Sequence, residues 1–188
     1  MITVLKPWLI WTAGFLSFPI AGLAGGAVAG RVDSPLAALA GGLVTGAVIG
    51  AGQALCSSRR LDPLRWIAAS AVGMGFGLLL GAATVGYRTS LRDLALMGFL
   101  TGVTLGAAQA LALTATTRQR VVWAAAIPLL WALGWTVTML AGIDVDRQFT
   151  VFGATGAITF SALSGALLHL LHPVRAAVRP RTRIGSQS

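Results

Sequence analysis

The phrase GAVIGAGQAL, residues 46–55, returns as GVTLGAAQAL at residues 102–111, an offset of 56 positions. In each copy one glutamine, Gln53 or Gln109, stands in mostly apolar sequence. Each copy also belongs to a row of glycines spaced four positions apart. The two rows are Gly42, Gly46, Gly50 and Gly98, Gly102, Gly106. Because residues four apart lie on one face of a helix, the repeat predicts two helices with a small-residue face and a glutamine near one end.

The composition predicts that these helices lie in a membrane. Hydrophobic residues make up 56% of the chain and charged residues 10%, which is far from the balance of a soluble domain. A bilayer takes about 20 apolar residues per helix, and six such runs occur. They cover residues 8–30, 36–58, 66–86, 94–116, 121–143 and 151–172. The runs are apolar on every face, unlike barrel strands, so we expect an all-α integral membrane domain over residues 1–173.

The first run also has features of a secretory signal, since Lys6 precedes it and residues 27–29 resemble a small-residue cleavage site. Its apolar stretch is longer than the roughly 7–15 residues of a signal core. We therefore expect it to be retained as the first span.

The charge of the chain predicts its orientation. The formal net charge is +9, and with both termini cytoplasmic the inner segments hold ten positive residues and the outer loops four. Positive residues mark the cytoplasmic side. The short loops and the Ala-, Gly- and Arg-rich composition favour a bacterial cytoplasmic membrane. The tail, residues 174–188, is expected to contact anionic lipid headgroups or to be a solvated segment that only fixes topology, and no nucleic-acid partner is expected.

The repeat extends beyond the two phrases. After an arginine-containing loop, Trp66 and Trp123 open the next spans, as Trp8 opens the first. In the sixth run Leu168 falls where a glutamine would be expected. That run keeps the four-residue spacing of small residues at Gly153, Ala157, Ser161 and Gly165. The pattern predicts three tandem helical hairpins, spans 1–2, 3–4 and 5–6, related by a pseudo-threefold axis along the membrane normal.

The small residues and the tryptophans have predicted roles. Helices in a bilayer associate by close backbone packing, so the glycine rows, with Gly153 and Gly165, are expected to form helix contacts. Tryptophan at the end of a span is typical of an interfacial anchor, which is the role we expect for Trp8, Trp66 and Trp123.

The two glutamines have two interpretations. A buried amide needs partners, and an interhelical hydrogen bond worth on the order of 1 kcal/mol would supply them. Alternatively, Gln53 and Gln109 face a shared cavity and bind a polar solute or a lipid headgroup.

Catalytic and cofactor sites are not expected. No Asp, Glu, Lys or Arg falls inside a predicted span, which disfavours ion-coupled transport, and the loop carboxylates form no catalytic set or metal site. His169 and His172 are the only histidines. Either imidazole is a possible axial ligand of haem or chlorophyll, but neither has a carboxylate to orient it. The alternative role, capping the end of the sixth helix, agrees with the helix dipole.

The pattern Gly-x3-Gly-x2-Gln, followed by an arginine-containing loop and a Trp-led helix, resembles a loose group of uncharacterised bacterial polytopic membrane proteins. The resemblance covers residues 42–77 and 98–134 and implies no activity. Three hairpins are similar in outline to mitochondrial carriers, whose Pro-acidic-basic signature is absent here. The size and span count are similar to the substrate-binding subunits of energy-coupling vitamin transporters, whose helix faces dock a partner. The face around Ala21, Gly25 and Ala29 would suit such docking.

From the sequence we therefore expect a non-enzymatic accessory or assembly subunit, or a homo-oligomer, that acts through small-residue helix faces. The alternative is a small-solute transporter or substrate-binding membrane subunit with Gln53 and Gln109 lining the site.

Overall fold

The structure, a computed structural model, describes residues 2–145 and 149–171, with side chains from residue 5 onward. His172 and the basic tail lie outside the described residues. Within them the chain forms α-helices and no strands. The helices are α1 Ile2–Ala13, α2 Ser17–Ala29, α3 Pro35–Cys56, α4 Pro63–Thr84, α5 Leu91–Ala112, α6 Thr117–Leu140 and α7 Ala154–Leu171. Six spans are long and apolar enough to cross a membrane, α1 and α2 together forming the first, so the predicted all-helical, six-span membrane fold is confirmed.

Polar caps set where four of these helices begin. The side chains of Ser34, Asp62, Ser90 and Thr116 each accept a backbone N–H from the first turn of the helix that follows. Such caps satisfy N–H groups that have no partner within the helix. Proline stands at the first position of α3 and α4, where its missing N–H costs nothing. The caps therefore place helix starts a few residues ahead of the apolar runs.

The first span is interrupted by a 3-10 turn, Gly14–Leu16, between α1 and α2. Pro19 lies just beyond this turn and has no N–H to donate to the carbonyl of Phe15. The proline ring also crowds that carbonyl, so the chain tightens there. Pro128 in α6 removes a backbone donor as well, but α6 continues through it as one helix.

The six spans form a ring in sequence order. Each helix packs against the next along the chain, and α7 returns to pack against α1 and the 3-10 turn. Side chains from all parts of the ring fill its interior, and the largest fully buried ones are aromatic. They include Trp66, Trp123, Trp131, Trp135, Phe18 and Phe160.

The two glycine rows contact other helices of the same chain. A Cβ added at Gly46 would overlap the backbone of Ser70 in α4, and one added at Gly102 would overlap Pro128 in α6. The outer glycines repeat this pattern, since Gly42 packs on Gly75 and Gly98 packs on the backbone near Ala132. Both glycine rows therefore lie close to backbone of another helix, and each row faces the helix that follows it.

The predicted hairpin partners, spans 1–2, 3–4 and 5–6, pack against each other, as do all spans that are consecutive in the chain. The repeated unit of contacts is α3 with α4 and α5 with α6, which are spans 2–3 and 4–5. The arrangement of the spans as three tandem hairpins stays a prediction. The pseudo-threefold relation and the cytoplasmic placement of both termini stay predictions.

The glycine contacts give a first prediction. Gly46→Ala should lower the free energy of unfolding by about 1–3 kcal/mol, because the new methyl group meets backbone that cannot move aside. Gly26→Ala is the matched control: it lies in α2 with open space where its Cβ would be, and better helix propensity should leave stability unchanged or raised by up to about 1 kcal/mol. The measurement is unfolding in mixed micelles titrated with SDS. Equal behaviour of the two variants would contradict close packing at Gly46.

Candidate functional site

The two glutamines meet inside the ring, where each accepts an indole hydrogen bond. Trp66 Nε1 donates to Gln53 Oε1 at 2.9 Å, and Trp123 Nε1 donates to Gln109 Oε1 at 3.2 Å. Gln109 Nε2 in turn donates to Ser70 Oγ at 3.0 Å and lies 3.4 Å from Gln53 Oε1. This Gln–Trp network joins α3, α4, α5 and α6 near the side of the bundle where α1 begins.

Chemistry fixes the orientation of both amides. An indole N–H only donates, so each tryptophan selects the amide oxygen as its partner and leaves the amide nitrogen to donate elsewhere. Gln109, Trp66 and Trp123 are fully buried, and Gln53 is 4% exposed. The rings of Trp66 and Trp123 also contact edge to face, with centroids 5.8 Å apart. The amides contact each other directly, which leaves no room for a solute between them.

These positions correct the prediction that Trp66 and Trp123 are interfacial anchors. Both rings have 0% exposure, because they lie on the inner face of their helices and over a glutamine. Trp8 is half-buried, and its Nε1 donates to the carbonyl of Ala162 in α7 at 2.9 Å. Sequence reasoning recognised the tryptophans but missed their partners.

A third tryptophan contact links α7 to α1. Trp11 Nε1 donates to Ser164 Oγ at 3.1 Å, and the missing side chain of Gly165 lets the Trp11 ring approach α7. Gly77 of α4 and Gly134 of α6 occupy equivalent positions. Gly156 of α7 packs on Gly134, as Thr101 of α5 packs on Gly77. In this register Ser164, and not Leu168, occupies the position equivalent to the glutamines. The third contact therefore uses a hydroxyl in place of an amide.

His169 is held between two partners. Its Nδ1 lies 2.7 Å from the carbonyl oxygen of Gly165 and therefore donates, because a carbonyl only accepts. Its Nε2 then accepts from the guanidinium of Arg60, 3.1 Å away. Both ring nitrogens are engaged, so a haem or chlorophyll would have to displace Arg60 to use this histidine. His172, the other predicted ligand, lies outside the described residues.

Backbone strain in the loop between α3 and α4 accompanies this contact. Ser58 and Arg59 have φ values of 53° and 63°, a region that costs a side-chain-bearing residue on the order of 1–3 kcal/mol. Arg60 follows directly, and partial burial lowers the pKa of its guanidinium below the ordinary value. Nearby, Gln119 Nε2 donates to the carbonyl of Leu171. The end of α7 is thus tied to the α3–α4 loop and to the start of α6.

Residues 149–153, termed the extended segment, form non-helical backbone with bends at Thr150 and Val151 at the opposite end of α7. Thr150 is 1% exposed, and its hydroxyl lies 2.8 Å from that of Thr45. Thr45 is the eleventh residue of α3, about 15 Å along its axis from Pro35, which is roughly half the thickness of a bilayer core. The extended segment therefore reaches the middle of the bundle. Irregular backbone at that depth is tolerated where protein covers it.

The extended segment corrects one predicted packing residue. Gly153 does not lie in a helix. It precedes α7, contacts Ile143, and donates its N–H to Thr138 Oγ1 at 3.1 Å. In α3 and α5 the residues just before Gly42 and Gly98 are helical. The two residues just before Gly153, Val151 and Phe152, are instead buried and non-helical.

The aromatic interior beside the extended segment contains one polar atom without a partner. Phe152 packs against Phe18, Trp131 and Phe160, with ring centroids 4.7–6.1 Å apart. Trp131 Nε1 is the one buried side-chain nitrogen or oxygen of the described residues that lacks a hydrogen-bond partner. The indole of Trp123, in the same helix, does have a hydrogen-bond partner, Gln109 Oε1.

Comparison of the chain with protein-family models, with curated proteins and with solved structures finds no match. Function must therefore be argued from the contacts. The Gln–Trp network consists of amides, indoles and a hydroxyl, which are suited to hydrogen bonding and not to proton transfer near neutral pH. The network links helices, and its one hydroxyl, that of Ser70, has amides and indoles around it and no acid or base within the network.

The Gln–Trp network gives a second prediction. Trp123→Phe should lower the free energy of unfolding by about 1 kcal/mol more than Trp131→Phe, because both lose similar packing but only Trp123 loses a hydrogen bond. A double-mutant cycle with Gln109→Met should give a coupling of about 0.5–1.7 kcal/mol to Trp123 and near zero to Trp131. Equal losses and no coupling at Trp123 would show that the network is not formed.

The Arg60–His169 contact gives a third prediction. Arg60→Ala should lower the free energy of unfolding by about 1 kcal/mol, since a charged hydrogen bond to His169 is lost from a partly exposed site. Arg59→Ala is the control, because Arg59 is the exposed neighbour in the same loop. Both variants are compared by SDS titration, and amide hydrogen exchange follows the last turn of α7. Faster exchange in both variants alike would contradict the contact.

Proposed function

We propose that the protein is a non-enzymatic polytopic membrane protein that works as an accessory or assembly subunit or as a homo-oligomer. The observation that carries the proposal is the filled interior, in which aromatic rings and the Gln–Trp network occupy the centre of the ring of helices. Such an interior favours a role at the outer surfaces of the bundle. The proposal also includes the resemblance to uncharacterised bacterial membrane proteins. It places the protein in a bacterial cytoplasmic membrane with both termini on the cytoplasmic side.

The surface that best suits a partner helix is a groove between α4 and α5. The glycine rows cannot bind a partner helix, because they already contact other helices of the same chain. The face around Ala21 and Gly25 is also covered, since Gly25 packs on Thr45 and Gly41. The α4–α5 groove is lined mainly by alanine: Ala68, Ala69, Ala108 and Ala112, with Arg65, Val72 and Leu111. Small side chains on an outer face permit the close approach that helix association in a bilayer requires.

The alternative is a small-solute transporter or substrate-binding subunit that uses Gln53 and Gln109. It requires the two amides to separate and to exchange the indole partners for a solute. The direct contact of the amides and the burial of Trp66 and Trp123 weigh against it.

The proposed assembly gives a fourth prediction. Native mass spectrometry of the protein, gently extracted into lipid nanodiscs, should give species heavier than the 19.3 kDa chain, either its multiples or complexes with a stoichiometric partner. Ala68→Trp should reduce these species several-fold by filling the α4–α5 groove. Ala125→Trp is the control, because Ala125 is the equivalent exposed residue of α6, two positions after Trp123, and lies outside the groove.

Two results would contradict the proposal. A wild-type protein that is monomeric in nanodiscs would remove the assembly role. Passage of a polar solute in proteoliposomes that is abolished by Gln53→Leu, in a variant that still folds, would favour the transport alternative.

A further inference from the structure

A cavity of about 350 Å³ lies between α2 and the extended segment. Pro19, Gly22 and Leu23 form the α2 side, and Val151, Phe152 and Phe149 belong to the opposite side. The volume is within the range of roughly 300–1,000 Å³ that is typical of ligand pockets. α2 and α7 scarcely touch at this level, so the extended segment is the main structure between them.

The cavity lies at membrane depth and is continuous with the lipid-facing surface. Its inner wall includes Phe18 and Phe152, whose rings stack 5.4 Å apart in the centre of the bundle. Its mouth includes Leu23, which is 77% exposed, and Phe149, which is 41% exposed. Ile20, on the same helix, is also exposed. At this depth the surrounding solvent is lipid hydrocarbon.

The lining is suited to a ligand without polar groups. Among the residues that the structure describes, none that lines the cavity carries a charge. Thr138 is the one described lining residue with a polar side chain. Its hydroxyl already donates to the carbonyl of Gly134 and accepts from the N–H of Gly153. The absence of a side chain at Gly22 provides width: a Cβ added there would first contact Val151 Cγ1 at 3.4 Å.

We infer that this cavity binds one acyl chain of a membrane phospholipid, which enters sideways from the bilayer between α2 and the extended segment. A chain that leaves lipid gains no hydrophobic free energy, so its retention rests on van der Waals contact with the aromatic inner wall. The inference is independent of the proposed assembly role, because the α4–α5 groove lies on other helices.

The test uses the full chain in vesicles of phosphatidylcholine and phosphatidylglycerol that contain a phosphatidylcholine with a diazirine in the middle of one acyl chain. After illumination, mass spectrometry locates the cross-links. We expect enrichment on the peptides that contain Leu23 and residues 149–153, relative to other lipid-facing peptides. Gly22→Leu fills the cavity and should reduce this labelling several-fold. Gly26→Leu, one turn further along α2 in open space, should leave it unchanged.

A second pair of variants covers the case in which Gly22→Leu fails to fold. Leu23→Trp narrows the mouth at an exposed position and should also reduce labelling, whereas Ile20→Trp, on the same helix outside the lining, should not. Labelling spread evenly over all lipid-facing helices would overturn the inference. So would equal labelling in the filled and control variants, or displacement of the label by free fatty acid alone and not by unlabelled phospholipid.

Discussion

The approach of helix backbones at glycine is the constraint on which the rest of the structure depends. An apolar side chain gains nothing by leaving lipid for another helix, so association rests on close contact and on hydrogen bonds. Gly46 brings α3 onto α4, and Gly102 brings α5 onto α6, with no side chain between the backbones. At that separation the tryptophan at the start of one helix lies over the glutamine at the end of the other. The hydrogen bond between Trp and Gln is therefore a consequence of the glycine contact.

The network then relates the two copies to each other. An amide in hydrocarbon is costly unless its groups are bonded, and each tryptophan satisfies only the oxygen. Gln109 Nε2 finds Ser70 and Gln53 across the ring, so the duplicated residue of one copy completes the other. This hydrogen bond, from the Gln109 nitrogen to the Gln53 oxygen, favours one arrangement of α3 and α5. The contact between Trp11 and Ser164 is simpler, because a hydroxyl that also bonds its own helix does not require a partner from another copy.

Sequence reasoning predicts the features that depend on length and spacing and misses those that depend on which way a helix faces. Six spans follow from apolar length, and the packing of the glycine rows follows from their four-residue period. The interfacial role of Trp66 and Trp123 was wrong because a tryptophan near a span end has the same sequence signature whether its ring faces lipid or protein. The spacing of 13 and 14 residues from glutamine to tryptophan across a short loop was a usable signal for their contact.

The start of α7 could not be predicted because its residues are as apolar as those of any span. Residues 149–153 leave the helix for tertiary reasons: Thr45 and Thr138 offer hydroxyls to the freed backbone and side chains, and Phe152 joins the aromatic interior. Unbonded backbone in hydrocarbon costs several kcal/mol per group, so a non-helical segment at this depth needs such partners. Residues 149–153 therefore depend on partners from α3, α6 and the aromatic interior, and they lie beside a cavity open to lipid.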